Sequence, residues 1–92
     1  MYHPLLDTFT AVADCGSFTK AAERLHLSPT AVMKQMNTLE NHLNLTLIER
    51  ITSGVHLTPA GEVIYRDAKF MMDYSKKSIS EALAATHTDV RI

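Results

Sequence analysis

The stretch SFTKAAERLHLSPTAVMKQMNTLENHL, residues 17–43, decides the fold, because it contains two helical segments joined only by His26, Leu27 and Ser28. Ser17 and Ser28 are favourable N-cap residues, and Pro29 suits the first position of the second helix. Two short helices joined so tightly cross steeply and cannot overlap along their full lengths as an antiparallel pair. The stretch therefore predicts a helix-turn-helix.

The second helix of this motif has two chemically different faces. Its apolar residues recur at helical spacing and predict a buried stripe of Val32, Met36, Leu39 and Leu43. The opposite face holds Thr30, Met33, Lys34, Asn37 and Asn41 and carries no acid. In a helix-turn-helix this face enters the major groove of DNA, whereas in an ordinary amphipathic helix it is simply solvated.

Each residue type on the outer face suggests a contact with DNA. Lys34 can donate to guanine O6 and N7 or to a phosphate, and Thr30 can contact a base edge or a thymine methyl group. Asn37 suits adenine or a phosphate. Met33 suits apolar contact with a thymine methyl group, but a stray surface methionine explains it equally well.

Residues around the two helix starts are candidates for phosphate contacts. Capping alone explains Ser17 and Ser28, although exposed N–H groups at helix N-termini also bind phosphate. Lys20 and Arg24 project from the first helix of the motif and can clamp the DNA backbone. Ordinary surface charge is the alternative for both.

Residues 47–57 predict a two-stranded hairpin with Ser53-Gly54 at its turn, which makes it a candidate wing. Arg50, Thr52 and Ser53 offer donors to phosphates or to the minor groove. The alternative is a small cap on the core, in which Ile51 and Val55 cover apolar residues. An earlier helix, from about Pro4 to Cys15 and closed by Gly16, completes the predicted body.

A long helix is predicted from Thr58-Pro59 to about Ala85. Small and large residues alternate along a heptad-like seam, which favours a second copy as the partner. The seam consists of Tyr65, Ala68, Met72, Ser75, Ile79 and Ala82. The alternative is packing onto the chain's own body, which we expect only near the start of the helix, through Val63, Ile64 and Phe70.

Composition excludes several classes of protein. The 92 residues suffice for one small domain, and their net charge of −1 lacks the basic excess usual in nucleic-acid binders. No apolar run suggests a membrane span, no signal peptide is visible, and a single cysteine suits a reducing cytoplasm. The five histidines lack metal-ligand spacing, so we expect no metal, no cofactor and no enzyme.

The combination of motifs resembles the LysR-type transcriptional regulators over about residues 5–70. The resemblance rests on Gly-Ser-Phe-Thr, Ala-Ala-Glu-Arg-Leu, Ser-Pro-Thr-Ala-Val, Glu49-Arg50 and Leu57-Thr58-Pro59-Ala60-Gly61. It implies a mainly helical, winged helix-turn-helix over residues 1–58 and a linker helix over 59–87 that pairs two subunits. Residues 88–92 then resemble the start of a separate domain that binds a small-molecule inducer, with Asp89 to Ile92 as the start of its first strand. The chain is therefore interpreted as a DNA-binding fragment.

By the same resemblance, eight positions match the DNA-facing ones. They are Ser17, Pro29, Thr30, Met33, Lys34, Arg50, Thr52 and Ser53. Two of them depart from the family pattern, because Met33 stands where a small polar residue is usual and Lys34 stands where arginine is usual. Lysine replaces a bidentate fork with a point charge, so the operator sequence does not follow from the resemblance.

The function expected from the sequence is sequence-specific binding of double-stranded DNA by a dimeric bacterial transcription regulator. A protein-interaction module that uses the same shape as a docking surface is the competing hypothesis. Near-neutral charge and the apolar Met33 on the outer face favour that alternative.

Overall fold

A computed structural model describes residues 5–90 of the chain, with side chains through residue 85. The elements are α1 (Leu5–Cys15), α2 (Phe18–Leu25), α3 (Pro29–Leu43), β1 (Ile48–Ile51), β2 (Gly54–Leu57) and α4 (Pro59–Val90). This order confirms the predicted architecture of three helices, a two-stranded wing and a long final helix. Pro4, where the first helix was predicted to start, lies outside the described residues.

The capping residues predicted from the sequence set the helix boundaries around the motif. The Ser17 Oγ accepts a hydrogen bond from the Lys20 N–H at 3.3 Å, and the Ser28 Oγ accepts one from the Ala31 N–H at 3.1 Å. His26 ends α2 in the left-handed conformation, with φ of 59°. This conformation, uncommon for a residue other than glycine, turns the chain sharply enough for α3 to cross α2.

The core lies where α1, α2 and α3 meet. Its largest fully buried side chains are Phe9, Val12, Val32, Met36, Leu39 and Leu47. Three of the four residues in the predicted stripe of α3 are therefore buried, and Leu43 packs half-buried at the edge. Burial of this stripe turns the other side of α3 away from the body.

The wing pairs β1 with β2 in antiparallel register, with Ile48 opposite Leu57 and Ile51 opposite Gly54. The turn residues are thus Thr52 and Ser53, and the predicted Ser53-Gly54 turn is displaced by one residue. Gly54 begins β2, and its φ of 143° and its closeness to the Gly16 carbonyl oxygen exclude a side chain there. The adjacent Val55 N–H donates to the same Gly16 oxygen at 3.1 Å, which ties the wing to the α1–α2 turn.

Helix α4 begins at a junction that also holds the segment before the wing. The Thr58 Oγ1 accepts from the Gly61 N–H at 2.9 Å and donates to the Thr46 carbonyl oxygen at 2.6 Å. The helix continues to Val90, beyond the predicted end near Ala85, because the sequence from residue 62 onward contains no glycine or proline. Asp89 and Val90, predicted to begin a strand, are helical, and residues 91–92 lie outside the described residues.

The first half of α4 packs on its own chain, which corrects the predicted dimer seam. Ala68 has no exposed surface, and Tyr65 packs against the core. Met72 is half-buried, with its sulfur 4.0 Å from the Thr10 hydroxyl. The prediction is therefore wrong for Ala68, because α4 lies along α1 for longer than expected.

The packing of α4 along α1 also corrects the predicted face by which α4 contacts the body. Val63 and Phe70, expected on the chain's own body, are exposed, whereas Ile64 does pack against the core. The face that meets the body instead runs through Gly61, Tyr65, Ala68 and Met72. Glycine is required at residue 61 because a Cβ there would overlap the Leu47 carbonyl oxygen.

Asp14, at the end of α1, links α4 to the motif. Its carboxylate accepts a hydrogen bond from the Tyr65 hydroxyl and lies 3.4 Å from Lys69 Nζ and 3.9 Å from Arg24 Nη1. The Tyr65 ring meets Phe9 edge-on, with 6.5 Å between ring centroids. The hydrogen bond to Asp14 raises the pKa of the Tyr65 hydroxyl above its ordinary value, with smaller contributions from burial and from the Asp14 charge.

Replacing Tyr65 with phenylalanine tests this link. Because the pKa is raised in the folded state, the hydrogen bond stabilises the fold below pH 10, the ordinary tyrosine value. This stabilisation is lost as pH rises through the raised pKa. We expect Tyr65→Phe to lower the free energy of unfolding by about 1 kcal/mol at pH 7. The difference in free energy of unfolding between Tyr65→Phe and the original chain, measured by urea titration, should shrink above pH 10. Tyr74→Phe is the control. A difference that stays constant to pH 12 would contradict the link.

Candidate nucleic-acid interface

The outer side of α3 forms an uncovered surface, here called the recognition face. It consists of Thr30, Met33, Lys34, Asn37 and Asn41. Four of these side chains are exposed, and Met33 is half-buried at the side nearest the wing. The recognition face is therefore accessible to a ligand as large as a duplex without rearrangement of the body.

Beside the recognition face lies a concave surface where the N-termini of α2 and α3 meet the wing. Its lining residues are Ser17, Phe18, Thr19, Pro29, Met33, Arg50, Ile51, Thr52, Gly54 and Val55. The predicted site residues Ser17, Pro29, Met33, Arg50 and Thr52 are thus brought together, although up to 35 positions separate them in the sequence. Two helix N-termini on one surface favour the approach of anionic groups.

Arg50 connects the wing to both helices of the motif. Its Nη2 donates to the Met33 sulfur at 2.8 Å, and its guanidinium carbon lies 4.9 Å from the centre of the Phe18 ring. The cation–π contact with Phe18 was missed by sequence reasoning. No local signal pairs residues 32 positions apart, because their proximity depends on how the wing folds back.

Glu40 anchors the start of the wing, a role that the sequence did not suggest. Its Oε2 accepts hydrogen bonds from the backbone N–H groups of Leu47 at 2.6 Å and Ile48 at 3.2 Å. These N–H groups precede and begin β1, so the carboxylate of α3 fixes the point where the wing leaves the body. The Thr8 hydroxyl similarly donates to Gln35 Oε1 at 2.6 Å and joins α1 to α3.

Not every predicted site residue lies on the concave surface. Arg24 points to Asp14 near α4, and Lys20 is exposed in the first turn of α2. Ser53 is exposed at the tip of the wing, and Ser28 is exposed where α3 begins. None of these four residues lines the concave surface.

The charge on the recognition face and the concave surface differs from the net charge of −1 of the whole chain. The described residues of the recognition face and the concave surface include Lys34 and Arg50 and no carboxylate. Acidic side chains of the body are engaged elsewhere, with Glu40 on the backbone of β1 and Glu49 at 2.9 Å from His56 Nε2. A near-neutral chain thus presents a surface that carries positive charge.

The described residues contain neither a metal-binding cluster nor a membrane-spanning helix. No three of their His, Cys, Asp and Glu side chains are grouped so as to hold a metal ion. No helix within residues 5–90 has the length and apolar character needed to cross a membrane.

A family model, described as bacterial regulatory helix-turn-helix protein, lysR family, matches residues 4–62. The chain belongs to the LysR family. It is 39% identical over 82 residues to the transcriptional regulator TfdS of Cupriavidus pinatubonensis and 37% identical over 82 residues to the nitrogen assimilation regulatory protein nac of Escherichia coli. These alignments cover 89% of the chain but only 28% and 26% of those relatives, respectively.

Solved structures of this family have the same fold. The DNA-binding domain of CbnR in complex with DNA matches with a TM-score of 0.82 and 36% identity, covering 94% of this chain and 99% of that one. The BenM DNA-binding domain bound to benA site 1 DNA matches with a TM-score of 0.86 and 30% identity, covering 94% and 97%. The LysR-type winged helix-turn-helix expected from the sequence is therefore confirmed.

Replacing Glu40 with alanine tests how the wing is held. Loss of the carboxylate leaves the N–H groups of Leu47 and Ile48 without their acceptor, which we expect to lower the free energy of unfolding by about 1–3 kcal/mol. Glu49→Ala, which removes the same charge from an exposed pair, should change it by less than about 1 kcal/mol. Urea titration measures both changes, and equal effects of the two substitutions would contradict the anchoring role.

Proposed function

We propose that the chain binds double-stranded DNA sequence-specifically, as the DNA-binding part of a bacterial transcription regulator. The observation that carries this proposal is the exposed recognition face, flanked by two helix N-termini and the wing. CbnR and BenM, whose DNA-binding domains have this fold, have been solved bound to DNA. A groove-sized convex helix with anion-binding surfaces on one side suits a duplex better than a small molecule.

In the proposed complex, α3 lies in the major groove and its first two turns contact bases. Thr30 and Lys34 lie one turn apart on the recognition face, and Asn37 follows one turn later. Ser17, Ser28 and Pro29 bring the N-termini of α2 and α3 towards phosphates, with Lys20 and Arg24 at the margin. Arg50, Thr52 and Ser53 bring the wing to the backbone or the neighbouring minor groove.

The proposed regulator is a homodimer paired through the second half of α4. Ser75, Ile79 and Ala82 of the predicted seam are exposed, as is Leu83 on the same side of the helix. Ile79 is 59% exposed and Leu83 58%, which is unusual for large aliphatic side chains on one helix face. Tyr65 and Met72 contribute only the surface that the chain's own body leaves uncovered.

The chain spans 28% of the length of TfdS. The whole protein is proposed to contain a further domain that binds a small-molecule inducer, to assemble as a dimer or a higher oligomer, and to act in the cytoplasm. The boundaries proposed for the parts present are residues 1–58 and 59–87, with 88–92 leading into that further domain.

The proposal is tested by selecting bound duplexes from a random pool with the purified chain. We expect an enriched half-site repeated with two-fold symmetry, and binding that weakens steeply with salt. Failure to enrich any sequence, together with binding that does not respond to salt, would contradict DNA binding. It would favour the protein-interaction alternative.

Lys34→Ala tests the contribution of the recognition face. We expect affinity for the selected site to fall by about 1–3 kcal/mol if Lys34 contacts a base, with a much smaller loss on unrelated DNA. If Lys34 contacts only phosphate, both affinities should fall together and the salt slope should decrease by about 0.9. Lys77→Ala on the exposed side of α4 is the charge-matched control. Unchanged affinity in Lys34→Ala would remove this residue from the interface.

Ile79→Asp tests dimerisation through α4. A carboxylate in an apolar helix–helix contact is strongly unfavourable, so we expect a monomer in sedimentation equilibrium. Ser80→Asp adds the same charge at the next position, on another side of the helix, and should leave the dimer intact. A dimer that persists in both Ile79→Asp and Leu83→Asp would contradict pairing through this face.

A further inference from the structure

We propose that Met33 recognises the C5-methyl group of one thymine in each half-site, and that Arg50 holds Met33 in position for this contact. The proposal rests on the proposed DNA binding and adds the chemistry of one base to it. It also gives a role to the residue that departs most from the family pattern expected at this position.

Met33 belongs to the side of α3 that faces away from the core. It lies on the recognition face one turn after Thr30 and one turn before Asn37, and Lys34 follows it directly. Thr30 and Asn37 on either side are exposed, so α3 can bring the uncovered part of Met33 to base edges between them. In the first turns of a recognition helix, this is where side chains meet base edges rather than phosphates.

Met33 presents an apolar surface to a ligand. Its sulfur, the only polar atom of the side chain, accepts the hydrogen bond from Arg50 Nη2 at 2.8 Å. Every other side-chain heavy atom is carbon, so the remaining surface of Met33 offers apolar contact alone. Among the groups that base pairs present in the major groove, the thymine C5-methyl group is the one that matches such a surface.

The contact with Arg50 holds the Met33 side chain, which is normally flexible. A free methionine has three side-chain torsions and adapts to many partners, which makes it a poor discriminator. Here the guanidinium of Arg50 is itself held 4.9 Å from the Phe18 ring centre, and Met33 is half-buried against this pair. The Met33 side chain therefore loses less conformational entropy when DNA binds. It also cannot easily rearrange to contact a methyl group at another position.

The experiment removes one methyl group at a time from the DNA. Starting from the duplex selected by the chain, each thymine is replaced in turn by deoxyuridine, which keeps the same base pair and hydrogen-bonding groups. We expect one position in each half-site at which affinity falls about fourfold, as for one buried methyl group. The other thymines should show no change.

A pair of variants assigns that position to Met33. Met33→Ala should bind the thymine and deoxyuridine duplexes with equal affinity, because the apolar partner is gone. Thr30→Ala, which alters a neighbour on the same face, should keep the fourfold difference. Circular dichroism and urea titration of each variant establish that the fold is retained.

The outcomes separate this proposal from the function on which it rests. Tight, selective binding with no deoxyuridine-sensitive position in the original chain overturns the proposal and leaves DNA binding intact, whatever the variants do. A sensitivity that persists in Met33→Ala and disappears in Thr30→Ala assigns the methyl group to Thr30 and also overturns it. Absence of any selected duplex contradicts the proposed function itself.

Discussion

Burial of one apolar stripe on α3 is the constraint on which the rest of the structure depends. Val32 and Leu39 have no exposed surface and Met36 has 1%, and the core they enter also contains Phe9 and Val12 of α1. Because the side chains of a helix project from one rigid backbone, burial of this stripe also fixes which residues face outward. The polar recognition face is thus a consequence of core packing.

Polar contacts to backbone groups position the segments around α3. Glu40 holds the start of β1, Gly16 accepts the Val55 N–H from β2, and Thr58 caps α4 while it bonds the Thr46 carbonyl. These contacts place Arg50 beside Met33 and Phe18. The wing, α2 and α3 therefore present one continuous surface.

Local signals predicted most of this fold, because capping serines, prolines at helix starts and helical periodicity act within a few residues. Thr30, Lys34 and Asn37 of the recognition face followed from the stripe opposite them. The contact of Arg50 with Phe18, the anchoring role of Glu40 and the burial of Ala68 could not be predicted. Each depends on the angle at which distant segments meet, and small residues such as Ala68 suit a helix pair within one chain as well as between two.

The proposed function requires that the outward face of α3 is the surface that meets DNA. An NMR titration of the isotopically labelled chain with its selected duplex measures this directly, residue by residue. The account predicts that the largest backbone shift changes fall between Thr30 and Asn37 and in the wing around Arg50 to Ser53. Changes confined to the exposed side of α4, with the amides of α3 unmoved, would contradict it.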